Sequence, residues 1–255
     1  MIEVVDLWKS YNGNQVLKGL NLTVNTGETV VILGRSGVGK SVLLRQLIGI
    51  EKPDQGYVAI DGVNISELKK RELFKAVKNT GMLFQGAALF DSMNIEDNTA
   101  FYLRQHGQSE TGEAYSEEEI QEMVQTSLAK VGLEGIEKKM PSDLSGGMKK
   151  RAGLARLIVY RPSILLYDEP TTGLDPITAQ QINELIVQIQ SELKSTSIVV
   201  THDVHSALFI GDRLALHKDG KIAYVAEPEE FLNIDDPIIS FLKENLTHHP
   251  RAKKE

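Results

Sequence analysis

The sequence predicts an α/β fold: a parallel sheet flanked by helices, antiparallel β parts beside it, and an α-helical subdomain inserted into the core. Three observations carry this. The runs Thr29-Val30-Val31-Ile32-Leu33, Ser163-Ile164-Leu165-Leu166-Tyr167 and Ser197-Ile198-Val199-Val200-Thr201 are apolar with little alternation, as strands buried on both faces are. A glycine-rich turn joins the first run to a helical pattern. From Glu96 to about Val159, charged residues and helix formers dominate the chain.

Taken in order, Ile2 to Leu7 and Val16 to Val24 read as strands around the turn-rich Asn12-Gly13-Asn14, and alternation in the second implies one wet face. A helix runs from Lys40 toward Ile50. Gly56-Tyr57-Val58-Ala59-Ile60 then turns at Asp61-Gly62 as a hairpin-like unit. Within the inserted subdomain, Ser116 and Glu119 fit a capping box, followed by Ile120, Met123, Val124, Ser127 and Leu128 at helical spacing. Helical spacing returns from Ile177 to Leu193. Arg213 to His217 and Lys221 to Val225 form a hairpin across Lys218-Asp219-Gly220. A terminal helix is expected from Ile238 to Leu246, with a polar tail. No internal repeat or low-complexity linker interrupts the chain.

With 255 residues, 41% of them hydrophobic, the chain buries an ordinary core as one or two domains. No apolar run reaches the ~20 residues a membrane span requires. Met1-Ile2-Glu3 lacks the basic-then-apolar layout of a signal peptide, so the chain is expected to stay in the cytoplasm. The absence of cysteine excludes disulfides and thiolate metal sites. A net charge of −7 gives no support to a nucleic-acid partner. The basic tail Arg251-Ala252-Lys253-Lys254 reads either as a solvated terminus or as a lipid-headgroup contact.

Gly34-Arg35-Ser36-Gly37-Val38-Gly39-Lys40-Ser41 has the spacing G-x-x-x-x-G-K-[ST] directly after an expected strand, the arrangement of a P-loop NTPase core. Glycines let successive backbone N–H groups share one concavity, Lys40 brings a point charge to the outer phosphates, and the Ser41 hydroxyl suits Mg²⁺. Val42 continues the loop into the helix, whose positive end faces the anion. Such a site needs a carboxylate opposite the phosphates, and Asp168 at the end of an apolar strand supplies it. Glu169, one residue on, is set to polarise an attacking water. Leu144-Ser145-Gly146-Gly147-Met148 is a second glycine-bearing turn opening a helix. Since one nucleotide has one γ-phosphate, Ser145, Gly146 and Gly147 are expected to serve the nucleotide of another subunit.

The ordered set of P-loop, Leu-Ser-Gly-Gly-Met, Asp168-Glu169, Gly173-Leu174-Asp175 and Thr201-His202-Asp203 resembles the ATP-binding cassette (ABC) ATPases from Ile2 to about Pro228. The resemblance implies a single domain over 1–236, with a RecA-like core and a helical subdomain at about 96–159, and a C-terminal helix and tail over 237–255. It implies ATP and Mg²⁺ as cofactors. Tyr11 matches the aromatic that stacks on adenine, the other reading being a core aromatic near a turn. Gln85 matches the Q-loop glutamine that reaches Mg²⁺ and the attacking water. Asp175 is similar to the D-loop aspartate that crosses the dimer interface, and His202 to the switch histidine on the γ-phosphate. His205, His217, His248 and His249 match no motif. Two copies are expected to pair head to tail, each signature turn closing the other's P-loop. Met148 departs from the commoner glutamine of that signature.

Phe84-Gln85-Gly86-Ala87-Ala88-Leu89-Phe90-Asp91-Ser92-Met93-Asn94, Val42-Leu43-Leu44 after the P-loop and Met148 together resemble the Mla-type ATPases. That resemblance implies phospholipid movement with a separate membrane permease, an MCE lipid-binding protein and a small STAS-domain protein. The chain would then sit peripherally on the cytoplasmic face of the inner membrane. Gly86 to Ile95 is the expected docking segment; subdomain core is its other reading. Ile238 to Glu255 either reaches a neighbouring ATPase or packs locally. The alternative function is an importer ATPase for amino acids or another small polar solute. A DNA-maintenance ATPase would need a long coiled-coil insertion or a basic groove, and a non-hydrolysing regulator would have little use for Glu169, Gln85 and His202 together.

Overall fold

A computed structural model describes residues 1–108 and 112–247. The basic tail, His248 and His249, and the end of the 237–255 segment lie outside the described residues.

The chain opens with the long hairpin β1 (Ile2–Tyr11) and β2 (Asn14–Val24), which extends past both expected limits. β4 (Gln55–Ile60) pairs with β1, and the short β5 (Val63–Asn64) closes an antiparallel sheet of order β2-β1-β4-β5. The second sheet has six strands in the order β10-β9-β3-β8-β7-β6. Its members are β3 (Thr29–Leu33), β6 (Thr80–Leu83), β7 (Ile164–Asp168), β8 (Thr196–Thr201), β9 (Arg213–Lys218) and β10 (Lys221–Ala226). All neighbours in it run parallel except β10, which pairs antiparallel to β9. The hairpin tips Asn12-Gly13, Asp61-Gly62 and Asp219-Gly220 all have both residues at positive φ, between 48° and 83°. That is the turn whose twist matches the flanking strands, and Asn or Asp followed by Gly is what it favours.

Apolar strands without alternation make sense once both faces are seen to be covered. Val30, Ile32, Leu166, Ile198, Val200 and Ala215 pack toward the antiparallel sheet and α1 (Lys40–Leu47). Their neighbours Val31, Leu33, Leu165, Tyr167, Val199, Leu214 and Leu216 pack into a second cluster formed with helices. Three of those helices build the inserted subdomain: α3 (Ile95–His106), α4 (Glu117–Lys130) and α5 (Gly146–Ile158). The capping box forms as expected. Ser116 Oγ accepts from the Glu119 backbone N–H at 3.3 Å, and Glu119 Oε2 accepts from that of Ser116 at 2.7 Å. Ile120, Val124, Ser127 and Leu128 are buried along the α4 stripe.

Further helices are α2 (Lys70–Val77), α6 (Pro176–Leu193), α7 (Val204–Ile210), α8 (Pro228–Phe231) and α9 (Pro237–Thr247). α2, α7 and α8 were not foreseen; α2 lays a half-buried stripe of Leu73, Ala76 and Val77 on the core over barely two turns, while α7 and α8 are shorter still. α9 is anchored at its start, where buried Asp236 takes the Lys218 ammonium at 2.7 Å and the Ile238 backbone N–H at 2.8 Å. The parallel strands deliver their C-terminal ends, and with them Asp168, Thr201 and the P-loop, to one edge of the sheet, the usual place for a ligand crevice.

Candidate functional site

The P-loop is the turn from β3 into α1. Gly37 and Gly39 lie at φ 80° and 107°, and Gly39 is the N-cap residue of α1. A Cβ on Gly39 would stand 2.6 Å from Val16 Cγ1, and one on Gly34 would stand 2.9 Å from the His217 carbonyl oxygen. Both positions therefore exclude side chains, leaving a cradle of bare backbone. No side chain caps α1 and no acid occupies its first turn, so its N-terminal N–H groups suit an anion.

Lys40 is buried, and its ammonium donates to the carbonyls of Gly34 at 2.7 Å and Arg35 at 3.0 Å. It also lies 3.3 Å from Glu169 Oε1. Ser41 Oγ donates to Asp168 Oδ1 at 2.8 Å. Burial raises the Asp168 carboxyl pKa, and the Ser41 hydrogen bond opposes that. Just past β7 the backbone breaks direction: Glu169 sits at φ 48°, a left-handed conformation that costs a non-glycine residue ~1–3 kcal/mol. Its N–H bonds the Val200 carbonyl at 2.9 Å, fixing the bend. Glu169 Oε2 then meets His202 Nδ1 and Thr172 Oγ1, each at 2.9 Å, and Thr201 Oγ1 at 3.4 Å. Lys40, Glu169 and His202 thus form one continuous polar network. Thr172, which no motif singled out, belongs to it, as does Thr201, the residue before His202 in the Thr201-His202-Asp203 motif.

A cleft of about 360 Å³ runs along this network. Ser36, Gly37, Gly39, Lys40, Ser41 and Val42 form one wall, Glu169, Thr172 and His202 another, and exposed Gln85 the rim. Val16 and Arg45 complete it. Gly34, Arg35 and Ser36, with His202, line an adjoining cavity against α9.

Beyond Gln85, Ala87 and Ala88 are both left-handed, at φ 61° and 49°. The Arg156 guanidinium holds their carbonyls, at 3.1 Å and 2.7 Å. Fully buried Asn98 accepts from the Phe90 N–H at 2.7 Å and donates to the carbonyls of Phe90, Met93 and Asn94. Within Gly86 to Ile95 only Ala87 and Ile95 are buried, so this segment is a braced surface and the subdomain-core reading does not hold.

Tyr11 ends β1 with 37% of its surface exposed, and its hydroxyl donates to the Glu51 carboxylate. Burial, with Glu51 adding, pushes that phenol up to about 12. The core-aromatic reading therefore fails as well, although Tyr11 stands outside the lining of the phosphate cleft.

Ser145 N-caps α5, accepting from the Met148 N–H at 3.3 Å. Asp175 N-caps α6, its carboxylate taking the N–H groups of Ile177 and Thr178 at 3.1 and 3.0 Å. The Thr178 hydroxyl bonds it too, and these bonds hold the carboxyl below its ordinary range. The two turns adjoin: a Cβ on Gly147 would stand 2.6 Å from Thr178 Cγ2, and one on Gly146 3.7 Å from Leu174. Ser145, Gly146, Gly147 and Asp175 all lie outside the cleft lined by the chain's own P-loop.

The ABC transporter family pattern matches residues 17–172, more than half of the sequence. This chain belongs to the ABC transporter family. As a cassette it is 42% identical, over 93% of its length, to the probable ribonucleotide transport ATP-binding protein mkl of Mycobacterium tuberculosis, of which it spans 65%. It is 40% identical to the intermembrane phospholipid transport system ATP-binding protein MlaF of Haemophilus influenzae, over 95% of this chain and 90% of that protein. Its fold matches the dimeric post-hydrolysis state of the ATP-binding cassette MJ0796 bound to ADP and Pi, with a TM-score of 0.81 and 31% identity. That match covers 89% of this chain and 99% of the other.

The cassette's residues fit a magnesium nucleotide. Among the described residues no cluster of three or more His, Cys, Asp or Glu side chains could cage a metal. The hydroxyl of Ser41 and the carboxylate of Asp168 are instead a sparse, all-oxygen pair, which suits Mg²⁺ sharing its shell with phosphates and water. Among the described residues no helix is long and apolar enough to cross a membrane.

Proposed function

We propose that this chain is the ATP-hydrolysing subunit of a membrane transporter that moves phospholipid, and that it works as a head-to-tail pair. The observation that carries this is the division of the site. The chain's own cleft is lined by the P-loop with Ser41, which Asp168 holds from behind, and by the Glu169–His202 pair, while its signature turn lies elsewhere, exposed and adjoining Asp175. A second copy supplies the missing wall, with Ser145, Gly146 and Gly147 facing the phosphates and Asp175 crossing the interface.

In this reading Lys40 and the bare P-loop backbone take the β- and γ-phosphates, and Tyr11 offers its exposed ring to the adenine. Ser41, Asp168 and Gln85 hold Mg²⁺, which when bound neutralises charge on the phosphates. Glu169 is bent out of β7 toward the cleft and orients the attacking water; Gln85 borders the same space. His202, held at Nδ1 by Glu169, directs its other nitrogen to the γ-phosphate and registers its loss. Closure of the pair depends on the γ-phosphate, so hydrolysis releases it and becomes motion in an attached partner.

The cassette unit spans 1–236, with its helical subdomain at about 96–159 and the C-terminal segment 237–255 beyond it. The chain binds the cytoplasmic face of the inner membrane through a permease seated on Gly86 to Ile95, where exposed Phe90 meets exposed Phe101 of α3 with the rings tilted and 4.8 Å apart. An MCE lipid-binding protein and a STAS-domain protein complete the assembly. The relative named for phospholipid transport, matched over 90% of its length, supports this cargo.

A second reading, import of a small polar solute, is favoured by the name of the 42%-identical mycobacterial relative. Purifying the tagged chain with its membrane complex and identifying co-purifying proteins and lipids by mass spectrometry separates the two. A permease with an MCE-domain protein and phospholipid supports lipid transport. A permease with a soluble solute receptor overturns it in favour of import.

A further inference from the structure

Lys150 lies on α5, five residues after Ser145, and is 95% removed from solvent. Its ammonium donates to two backbone carbonyls, that of Gln85 at 2.5 Å and that of Glu169 at 3.1 Å. Both residues line the cleft, Gln85 at its rim and Glu169 in its wall. A buried ammonium is costly unless it is held by hydrogen bonds, and burial does pull its pKa down. The charge is kept where it bridges three separate parts of the chain: the signature helix, the loop after β6 and the bend after β7. Glu169 is moreover in a left-handed conformation, which persists only where the surroundings hold it. Its backbone is held at both ends, by the Val200 carbonyl on its N–H and by Lys150 on its carbonyl.

We propose that Lys150 is a positioning residue that sets Gln85 and Glu169 relative to one another and ties both to the helix serving the other nucleotide site. The proposal rests on the head-to-tail reading above. Ser145 and Lys150 are ~7.5 Å apart along one rigid helix, because an α-helix rises ~1.5 Å per residue. A nucleotide gripped by Ser145 in the partner's cleft therefore fixes α5, and α5 carries Lys150 and the two carbonyls with it. Each site's water-handling residues are then aligned by occupancy of the other site, which is cooperativity built on one side chain.

The test uses the full chain in its membrane complex and compares wild type with Lys150→Met, Lys150→Arg and Glu169→Gln. Lys150→Met keeps length and apolar stem but loses both donors; arginine restores them. The expected result for Lys150→Met is nucleotide affinity within about two-fold of wild type, kcat lower by about 10–100-fold and a Hill coefficient for ATP falling toward 1, as misplacement by about 1 Å implies. Lys150→Arg recovers most of both. Wild-type kcat and Hill coefficient in Lys150→Met would overturn the proposal, as would a wild-type enzyme without cooperativity. Parallel loss of affinity, kcat and thermal midpoint with no rescue by arginine would reduce Lys150 to a structural brace and also overturn it. Glu169→Gln is read separately: unimpaired turnover there takes Glu169 out of its proposed role in hydrolysis, whatever Lys150 does.

Discussion

At the scale of single residues, charge placed against a bare backbone cradle does most of the work, and each charge makes a separable prediction. Lys40→Ala removes the cation that binds the Gly34 and Arg35 carbonyls and reaches Glu169, so nucleotide affinity measured by calorimetry is expected to fall about 10-fold or more. Unchanged affinity contradicts the P-loop assignment. Glu169→Gln keeps the shape of the bend and is expected to leave ATP binding intact while turnover falls by about 10²–10⁴. Equal turnover takes Glu169 out of its role. His217, buried behind Gly34, has neither ring nitrogen hydrogen-bonded, and burial with the nearby Lys40 charge pulls it down to about 4 from 6.5. Between those values the unfolded imidazole binds a proton that the folded one does not, so stability rises with pH across this window. About 3 kcal/mol is expected to be lost on acidification from 6.5 to 4, and His217→Leu should flatten that part of the profile. Identical acid melting curves for the two proteins would count against it.

At the scale of elements, the question is what holds short irregular segments in place. The stretch after Gln85 contains two successive left-handed alanines and has few buried side chains of its own. Arg156 from α5 and Asn98 from α3 hold it through its backbone instead. Asn98→Ala would leave several of those groups unpaired, and a loss on the order of 2 kcal/mol is expected from denaturant titration. Faster amide exchange confined to residues 86–95 would accompany it; a uniform change across the protein would show that Asn98 acts elsewhere. Regular elements were legible in the sequence because their burial repeats: strands covered on both faces read as unbroken apolar runs, and the α4 stripe recurs at helical spacing. α2 spans barely two turns with a stripe that is only half-buried, and braces such as Arg156 and Lys150 act between residues far apart in the chain, so neither leaves a clear local signal. The chemistry-bearing motifs were legible since glycines, a lysine and paired acids at fixed offsets have a local geometric cause. The network around Glu169 was only half legible: Thr172, three residues on, sits in no motif, and Thr201 reaches Glu169 only once β7 and β8 lie side by side.

At the scale of the whole molecule, two sheets and a helical subdomain converge on one edge of the parallel sheet, and in the proposed reading a second copy supplies the last wall of the site there. Ser145 to Gly147, beside Asp175, lie outside the chain's own cleft. The central claim is therefore the composite site. Mixing two inactive variants tests it directly: Lys40→Ala, which keeps a working signature turn, and Ser145→Arg, which keeps a working P-loop. At equal amounts, half of the pairs would contain one of each and restore one intact site, so ATP hydrolysis above that of either variant alone, and at most about a quarter of the wild-type rate, is expected. If no mixing ratio restores activity above that of either variant alone, although mass photometry shows mixed pairs forming, the two chains do not share their sites.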